Sequence, residues 1–169
     1  MDIVAIKCYT AVNNRCPEVN KVNMQVRKML LSDYHNVYNL WMNTTGMGIN
    51  SYDDSESGIE RYLLRNPNTC FVAENSGEIV GVVLSGHDGR RGLIYHLAVK
   101  VSERERGVGS TLLDYAMDAL KNEGIAKIYI MVLKNNASGN AFWEKRGFTI
   151  PGEALYRAKE IITLHHTDT

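Results

Sequence analysis

The chain has few of the residues that mark disulfide-stabilised, metal-binding or membrane-spanning proteins. Its cysteines, Cys8, Cys16 and Cys70, are odd in number and form no metal-spaced pair. This pattern disfavours a disulfide scaffold and a zinc site, and it fits a reducing compartment. No stretch approaches the roughly 18 consecutive apolar residues of a membrane helix, and the first residues lack the pattern of a signal peptide. We therefore expect a cytoplasmic protein that uses no metal and does not enter a membrane.

The chain also lacks a surplus of charge of either sign. Lys plus Arg and Asp plus Glu number 19 each, so the formal net charge is zero. A protein that binds nucleic acid or an anionic membrane through a basic surface usually has a basic surplus, so neither partner is expected. The 169 residues are 44% apolar and 22% charged, which is typical of one globular domain.

The most informative stretch is 93–121, which reads as an apolar strand, a charged turn and an amphipathic helix. Apolar residues recur in it at helical spacing, which predicts a helix with one buried face. These residues are Leu112, Leu113, Ala116, Met117, Ala119 and Leu120. In the turn, Gly107 and Gly109 allow close approach of a ligand to the backbone, and the helix that follows offers free N–H groups. The turn is therefore predicted to bind an anion.

The spacing of the turn narrows the choice of anion. Residues 104–109 read R-x-x-G-x-G, whereas a Rossmann loop requires G-x-G-x-x-G and a nucleoside-triphosphate loop requires G-K-[ST]. The turn instead resembles the acyl-CoA pyrophosphate loop of the GNAT superfamily of N-acetyltransferases. A second stretch, 136–148, resembles the second cofactor motif of that family, N-x-x-A-x-x-x-Y-x-x-x-G-F, with Asn136, Gly147 and Phe148 in register.

The resemblance covers roughly residues 24 to 164 and implies a single domain. We expect an α/β (α+β) fold, with a mixed, mostly antiparallel sheet flanked by about four helices. The sequence places strands near 24–30, 70–74, 79–84, 93–99, 127–133 and 154–164, and helices near 31–43, 55–65, 110–121 and 136–147. Ser32 is the predicted N-cap of the first helix. Residues 1–23 precede the domain of 24–169, and we expect this extension to pack as a strand or arm, against a second subunit in a homodimer.

The family likeness also implies a cofactor site. Its expected members are Leu97, Ala98, Val99, Arg104, Glu105, Arg106, Gly107, Val108, Gly109, Ser110, Asn136 and Trp143. Leu97 and Val99 would offer backbone groups to acetyl-CoA, and Asn136 would bind its pantetheine arm. In the family, the central strand and the next one splay apart there.

Three positions depart from the family pattern. Gly139 stands in place of Ala. Trp143 stands where a tyrosine usually protonates the departing CoA thiolate, and an indole N–H is not a useful acid. Leu93 stands where related lysine acetyltransferases carry a glutamate, eleven residues before Arg104. A histone-type mechanism is therefore disfavoured, and a poor leaving-group acid is expected.

The candidate catalytic residues are Tyr95, His96 and His87. Strand alternation from Leu93 predicts that Tyr95 and Leu97 share the acceptor face, with His96 on the opposite face. The pKa of histidine suits a base, but a satisfied core histidine is the competing interpretation of His96. Met42, Met47 and Tyr52 are candidates either for an acceptor pocket or for the core.

The acidic residues Asp53, Asp54 and Glu56 either attract a cationic acceptor or cap the following helix. The expected function is acetyl transfer from acetyl-CoA to a primary amine of a small molecule or protein, by direct attack in a ternary complex. The alternative is a CoA-binding sensor or assembly module without efficient catalysis.

Overall fold

The computed structural model describes residues 24–150, 152 and 156–167, and the extension of 1–23 lies outside this range. The strands are β1 (Met24–Lys28), β2 (Ile49–Asn50), β3 (Phe71–Asn75), β4 (Glu78–His87), β5 (Gly92–Val99), β6 (Ile128–Ile130) and β7 (His166–Thr167). The α-helices are α1 (Tyr34–Met42), α2 (Glu56–Arg65), α3 (Val108–Asn122) and α4 (Ala137–Lys145). Short 3-10 turns at Leu31–Asp33 and Val101–Glu103 precede α1 and α3.

Five strands form the main sheet, in the order β1-β3-β4-β5-β6. Every pairing is antiparallel except that of β5 with β6, which is parallel. The sheet is therefore mixed and mostly antiparallel, and the predicted fold class is confirmed. The tight connection between β3 and β4 places Ser76 and Gly77 at positive φ, as a two-residue hairpin turn requires.

A hydrophobic core lies on each face of the sheet. On one face, α1 and α2 bury Val37, Trp41 and Ile59 against the sheet. On the other face, α3 packs through Leu112 and Leu113, which are both fully buried. The predicted face of α3 is confirmed, because its fully buried positions recur at helical spacing.

The helix ends show which local patterns determined the structure. The hydroxyl of Ser55 accepts a hydrogen bond from the backbone N–H of Gly58 and caps α2. Ser32 does not cap α1, and that prediction was wrong. The residue before α1 is Asp33, whose carboxylate instead accepts bonds from Leu30 N–H and the Arg27 guanidinium.

The C-terminal strand also differs from the prediction. A strand was expected over 154–164, but the described part of that range, 156–164, contains none. The strand β7 begins later and pairs with β2, where Ile49 lies opposite Thr167. β2 itself lies within a segment that was predicted to be only loop. The β-branched content of the tail indicated a strand but not its pairing partner, which lies more than 100 residues earlier in the chain.

Candidate acetyl-transfer site

The site is built around a gap between β5 and β6. The two strands pair only from Gly92 and Ile128 to Ile94 and Ile130. β5 then continues to Val99, while β6 has ended. One edge of β5 beyond Ile94 therefore has no strand beside it among the described residues.

The backbone groups at this edge follow from the register of β5 with β4. The N–H of Lys100 donates to the carbonyl of Val80, so hydrogen-bonded pairs alternate along the ladder from that point. The alternation directs the backbone groups of Leu97 and Val99 away from β4 and into the gap. Apart from the Val99 carbonyl, which accepts a bond from the Arg104 side chain, these groups lack a strand partner and can bind an extended ligand.

The N-terminus of α3 adjoins the same gap. Gly107 adopts a left-handed conformation, with φ of 86°, and the first intrahelical bond runs from Thr111 N–H to its carbonyl. The N–H groups of residues 108–110 consequently have no partner within the helix. A Cβ added at Gly109 would lie 3.5 Å from a methyl group of Val99, which places the helix start against the end of β5.

Two exposed arginines flank this helix start. Arg104 Nε donates to the carbonyl of Val99 over 3.1 Å, and Arg106 pairs with Glu103 over 2.9 Å. Between them, Glu105 has a positive φ of 62°. The turn of residues 104–107 thus brings positive charge and backbone donors to one place, which is the arrangement that binds phosphate groups.

On the far side of the gap, Asn136 caps α4. Its side-chain oxygen accepts a hydrogen bond from Gly139 N–H over 2.9 Å. A Cβ at position 139 would lie 2.7 Å from the Asn136 amide nitrogen, so glycine rather than alanine suits this cap. A Cβ at Gly46 would lie 3.4 Å from the same nitrogen, so the loop after α1 reaches this side of the gap.

The end of α4 fixes the position of Trp143. Gly147 has a φ of 83°, its N–H donates to Glu144, and Phe148 N–H donates to the carbonyl of Trp143. These two bonds define a Schellman motif, in which the residues at its ends make a hydrophobic contact. The Trp143 and Phe148 rings lie accordingly at 5.0 Å between centroids. Trp143 is half-buried and packs with Phe142 and Phe148 against the core under α3.

Tyr95 lies at the point where β5 and β6 separate, but not on the predicted face. Ser85 pairs with Ile94 and Leu84 pairs with His96, so Tyr95 is an extra, bulged residue. The bulge breaks the alternation. Leu97 packs with the α3 core, whereas the Tyr95 ring contacts Tyr62 of α2 at 5.6 Å. The predicted sharing of a face by Tyr95 and Leu97 was wrong.

The Tyr95 side chain is 44% exposed, and its hydroxyl makes no hydrogen bond to the described residues. Partial burial raises its pKa, and nearby Tyr156 and Asp53 add to the effect. The phenol therefore keeps its proton at neutral pH. A groove of about 220 Å³ beside it is also lined by Tyr62, Leu93 and His87.

Neither candidate histidine offers a free nitrogen to this groove as a base. Both ring nitrogens of His87 are engaged: Nε2 lies 2.6 Å from Glu123, and Nδ1 accepts a bond from Gly89 N–H. His96 is only 8% exposed, and its Nε2 lies 2.8 Å from an Asp54 oxygen. Its Nδ1 has no hydrogen-bond partner among the described residues, but this nitrogen is buried and does not reach the groove. Its ring packs on Trp41 at 4.8 Å, on the same side of the sheet as Tyr95 rather than the opposite side.

The three acidic residues around the start of α2 differ in burial and in their bonding partners. Asp54 is buried and bound to His96, whereas Asp53 is exposed and close to Tyr95. Glu56 lies in the first turn of α2, where it complements the helix dipole, and Ser55 is the cap. Asp53 is the one of these carboxylates that influences Tyr95, although it does not itself line the groove. Its carboxylate accepts a hydrogen bond from the Asn50 side-chain amide over 3.2 Å. Sequence reasoning missed Tyr62 and the pairing of His96 with Asp54, which no local pattern indicates.

The three candidate pocket residues between α1 and α2 differ in their exposure to solvent. Met42 and Tyr52 are 39% and 41% exposed, and Arg61 lies over the Tyr52 ring at 4.9 Å. Met47 packs against the α1 and α2 core.

Comparison with known proteins identifies the family. Residues 34–148 match the acetyltransferase (GNAT) family. The chain belongs to the GNAT family. An acetyltransferase of Sodalis glossinidius (strain morsitans) is 32% identical over 139 residues, which cover 82% of this chain and 96% of that protein. This GNAT member is accordingly an acyltransferase enzyme.

Solved GNAT-fold structures agree with the architecture. Ard1 from Thermoplasma volcanium has a TM-score of 0.69 at 21% identity, covering 78% of this chain and 86% of its own. The PaiA N-acetyltransferase from Thermoplasma acidophilum, in complex with coenzyme A, has a TM-score of 0.67 at 19% identity, covering 76% and 91%. At these identities the likeness shows the fold.

Two further observations concern the described residues alone. None of their helices is long and apolar enough to cross a membrane. Within the same ranges, no three His, Cys, Asp or Glu side chains come together as a metal site.

Proposed function

We propose that this GNAT enzyme transfers the acetyl group of acetyl-CoA to the primary amine of a small cationic acceptor, by direct attack in a ternary complex. The observation that carries the proposal is the meeting of unpaired backbone groups in one gap. The N–H groups of residues 108–110 adjoin the free edge of β5 at Leu97 and Val99.

The residues present fit coenzyme A. A pyrophosphate would bind the free N–H groups after Gly107, with Arg104 and Arg106 beside it. The free edge of β5 would hold the pantetheine arm, opposite the Asn136 amide nitrogen. A structural neighbour, the PaiA N-acetyltransferase, was solved in complex with coenzyme A, which supports the choice of cosubstrate. Bound there, acetyl-CoA supplies an electrophilic thioester carbonyl.

The groove beside Tyr95 favours a cationic acceptor. Asp53 is exposed next to it, and the rings of Tyr62 and Tyr95 offer aromatic surface. A carboxylate and aromatic rings both attract an ammonium group. Arg65 and Asp88 also line the groove and carry opposite charges, so the preference for a cation rests on Asp53 and the aromatic rings. On that basis we expect neutral and acidic amines to be poorer acceptors.

The proposed roles in the reaction follow from the exposed hydroxyl of Tyr95. An amine must lose its proton before attack, because an ammonium ion has no lone pair. The neutral phenol of Tyr95 orients the amine and passes the proton of the amine to water. Both ring nitrogens of His87 are bonded, and His96 is buried with its Nε2 bound to Asp54. As the C–N bond forms, the C–S bond breaks and CoA departs as a thiolate. The attacking nitrogen then loses its extra proton to water, and Trp143 borders the sulfur without protonating it.

Steady-state turnover on an amine panel tests the proposal. The panel contains spermidine, a lysine-like diamine, a neutral aromatic amine, an acidic amino acid and a peptide with a free N-terminus. CoA release and the mass of the product are measured together. We expect kcat/KM to be highest for the two small cations, and turnover on neutral, acidic or peptide amines only would contradict that choice.

The alternative is a CoA-binding module without efficient catalysis, and Trp143 together with Leu93 motivates it. Tight CoA binding in calorimetry, with no acetylated product from any amine, would favour this alternative. Product formation with turnover above the uncatalysed rate would exclude it.

A further inference from the structure

A buried polar pair joins the central strand to the segment before α2. His96 Nε2 lies 2.8 Å from Asp54 Oδ1, across 42 positions of sequence. Asp54 is 4% exposed and His96 is 8% exposed. A buried carboxylate is costly unless it is fully hydrogen-bonded, so His96 is what allows Asp54 to lie in the core.

The second oxygen of Asp54 bonds within the segment of residues 50–54, which we name the acceptor turn. Asp54 Oδ2 accepts a bond from Asn50 N–H over 2.8 Å. The side-chain oxygen of Asn50 in turn accepts bonds from the N–H groups of Tyr52 and Asp53, at 3.0 and 2.7 Å. The pair with His96 is therefore the base of a connected network that ends at Asp53.

The acceptor turn is also clamped from the helix side. The hydroxyl of Tyr34 donates to the carbonyl of Asp54 over 3.1 Å. A Cβ added at Gly58 would lie 2.3 Å from the carbonyl oxygen of Asp53 and 2.5 Å from that of Tyr52. Backbone groups at these distances leave the turn no room to move toward α2. His96 and Asp54 hold it from the opposite side.

From this arrangement we propose that His96 and Asp54 are a positioning pair, which fixes the acceptor turn and thereby holds the exposed carboxylate of Asp53 near Tyr95. The pair thereby determines the preference for a cationic amine. Neither residue touches the acceptor, because both are buried and both Asp54 oxygens are already bonded. The link to amine preference rests on the proposed function, whereas the fixing of the turn does not.

A double-mutant cycle tests the link between the positioning pair and the preference for a cationic amine. His96→Leu removes the donor to Asp54, His96→Gln keeps an N–H at a similar reach, and Asp53→Asn removes the charge. We expect His96→Leu and Asp53→Asn each to raise the KM for a small diamine about tenfold, with kcat within threefold and CoA affinity unchanged. His96→Gln should restore the KM to within threefold of the wild type. The double variant His96→Leu with Asp53→Asn should be no worse than either single variant, because both act through Asp53.

Two results would overturn the link. One is additivity of the two substitutions in KM. The other is a large loss of kcat in both His96→Leu and His96→Gln, which would make His96 a proton-transfer residue. Should His96→Leu fail to fold, Asp54→Asn replaces it, because it keeps the shape of the side chain but leaves one acceptor oxygen for the two donors, Asn50 N–H and His96 Nε2.

Amide hydrogen exchange tests the positioning itself without any turnover. In His96→Leu, the amides of residues 50, 52 and 53 should exchange at least tenfold faster, while those of α3 stay unchanged. His96→Gln should match the wild type. Unchanged protection of the acceptor turn in His96→Leu would refute the positioning pair even if the enzyme acetylates amines. Faster exchange in a protein that acetylates no amine would retain the pair and reject the proposed function.

Discussion

Two substitutions of Gly107 in the anion-binding turn distinguish the effect of negative charge on CoA affinity from the effect of side-chain size. A Cβ at Gly107 would meet nothing within 4 Å, so a short side chain there projects into open space at the start of α3. Gly107→Asp adds a negative charge at that point, and Gly107→Asn adds the same shape without charge. The matched pair shares the backbone strain of a φ of 86°, and asparagine and aspartate both tolerate the left-handed region better than other residues do.

The expected difference between the two variants can be estimated from Coulomb's law. Unit charges about 6 Å apart, at an effective dielectric constant of about 20, repel by about 3 kcal/mol. That energy corresponds to roughly a hundredfold difference in CoA dissociation constant. Isothermal titration calorimetry at low and moderate salt measures it, and the difference should shrink as salt rises. Equal affinities for the Asp and Asn variants, or wild-type affinity in both, would refute a pyrophosphate site at this turn.

Four further outcomes are expected. Trp143→Tyr should keep CoA affinity and raise turnover, because a phenol can protonate a thiolate. Trp143→Phe, which lacks the phenol, should not raise turnover. A fall in turnover at constant affinity in Trp143→Tyr would mean that the indole is required. Tyr95→Phe should lower kcat at least several-fold at fixed CoA affinity, with Tyr129→Phe on the neighbouring strand as control, and full activity would remove Tyr95 from the reaction. Burial opposes ionisation of Asp33, but its hydrogen bonds to the Arg27 guanidinium outweigh the effect of burial and lower its pKa. The ion pair therefore stabilises the fold above about pH 4, and this stabilisation is lost as the pH falls further. Asp33→Asn should therefore destabilise in urea at pH 7 and much less near pH 3, and an equal loss at both pH values would contradict the assignment. Deleting residues 1–22 should lower the number of subunits per particle in solution or lower the melting temperature. No change in either quantity would make the extension a passive tail.

Local sequence patterns predicted those parts of the fold that local chemistry determines. The apolar spacing of α3 predicted its buried face, and Gly147 predicted the end of α4. The start of α2 near residue 55 was also predicted, and in the structure the Ser55 hydroxyl caps it. The R-x-x-G-x-G turn likewise predicted a helix start with free N–H groups, which the structure contains.

Features that depend on pairing distant segments escaped prediction. The bulge at Tyr95 follows from the register of two strands, and strict alternation therefore gave the wrong face for that residue. His96 and Asp54 are joined only by the fold, so their sequence showed two unrelated polar residues. Asp33 displaced Ser32 before α1 because Arg27, on β1, offers it a bidentate partner.

The short pairing between β5 and β6 has a consequence for how the protein unfolds. Three residue pairs join the segment of β6 and α4 to the rest of the main sheet, with an ion pair between Arg146 and Asp114 on α3 as a further tie. A unit attached by so few strand bonds is expected to open at a lower free energy than the β3–β4–β5 centre. A ligand in the gap would contact both sides of it and would suppress that opening by mass action. Apolar residues of this segment, including Phe142 and Phe148, also pack against the core under α3. The gap that exposes backbone groups for binding is thus also a place where a bound ligand would stabilise the fold.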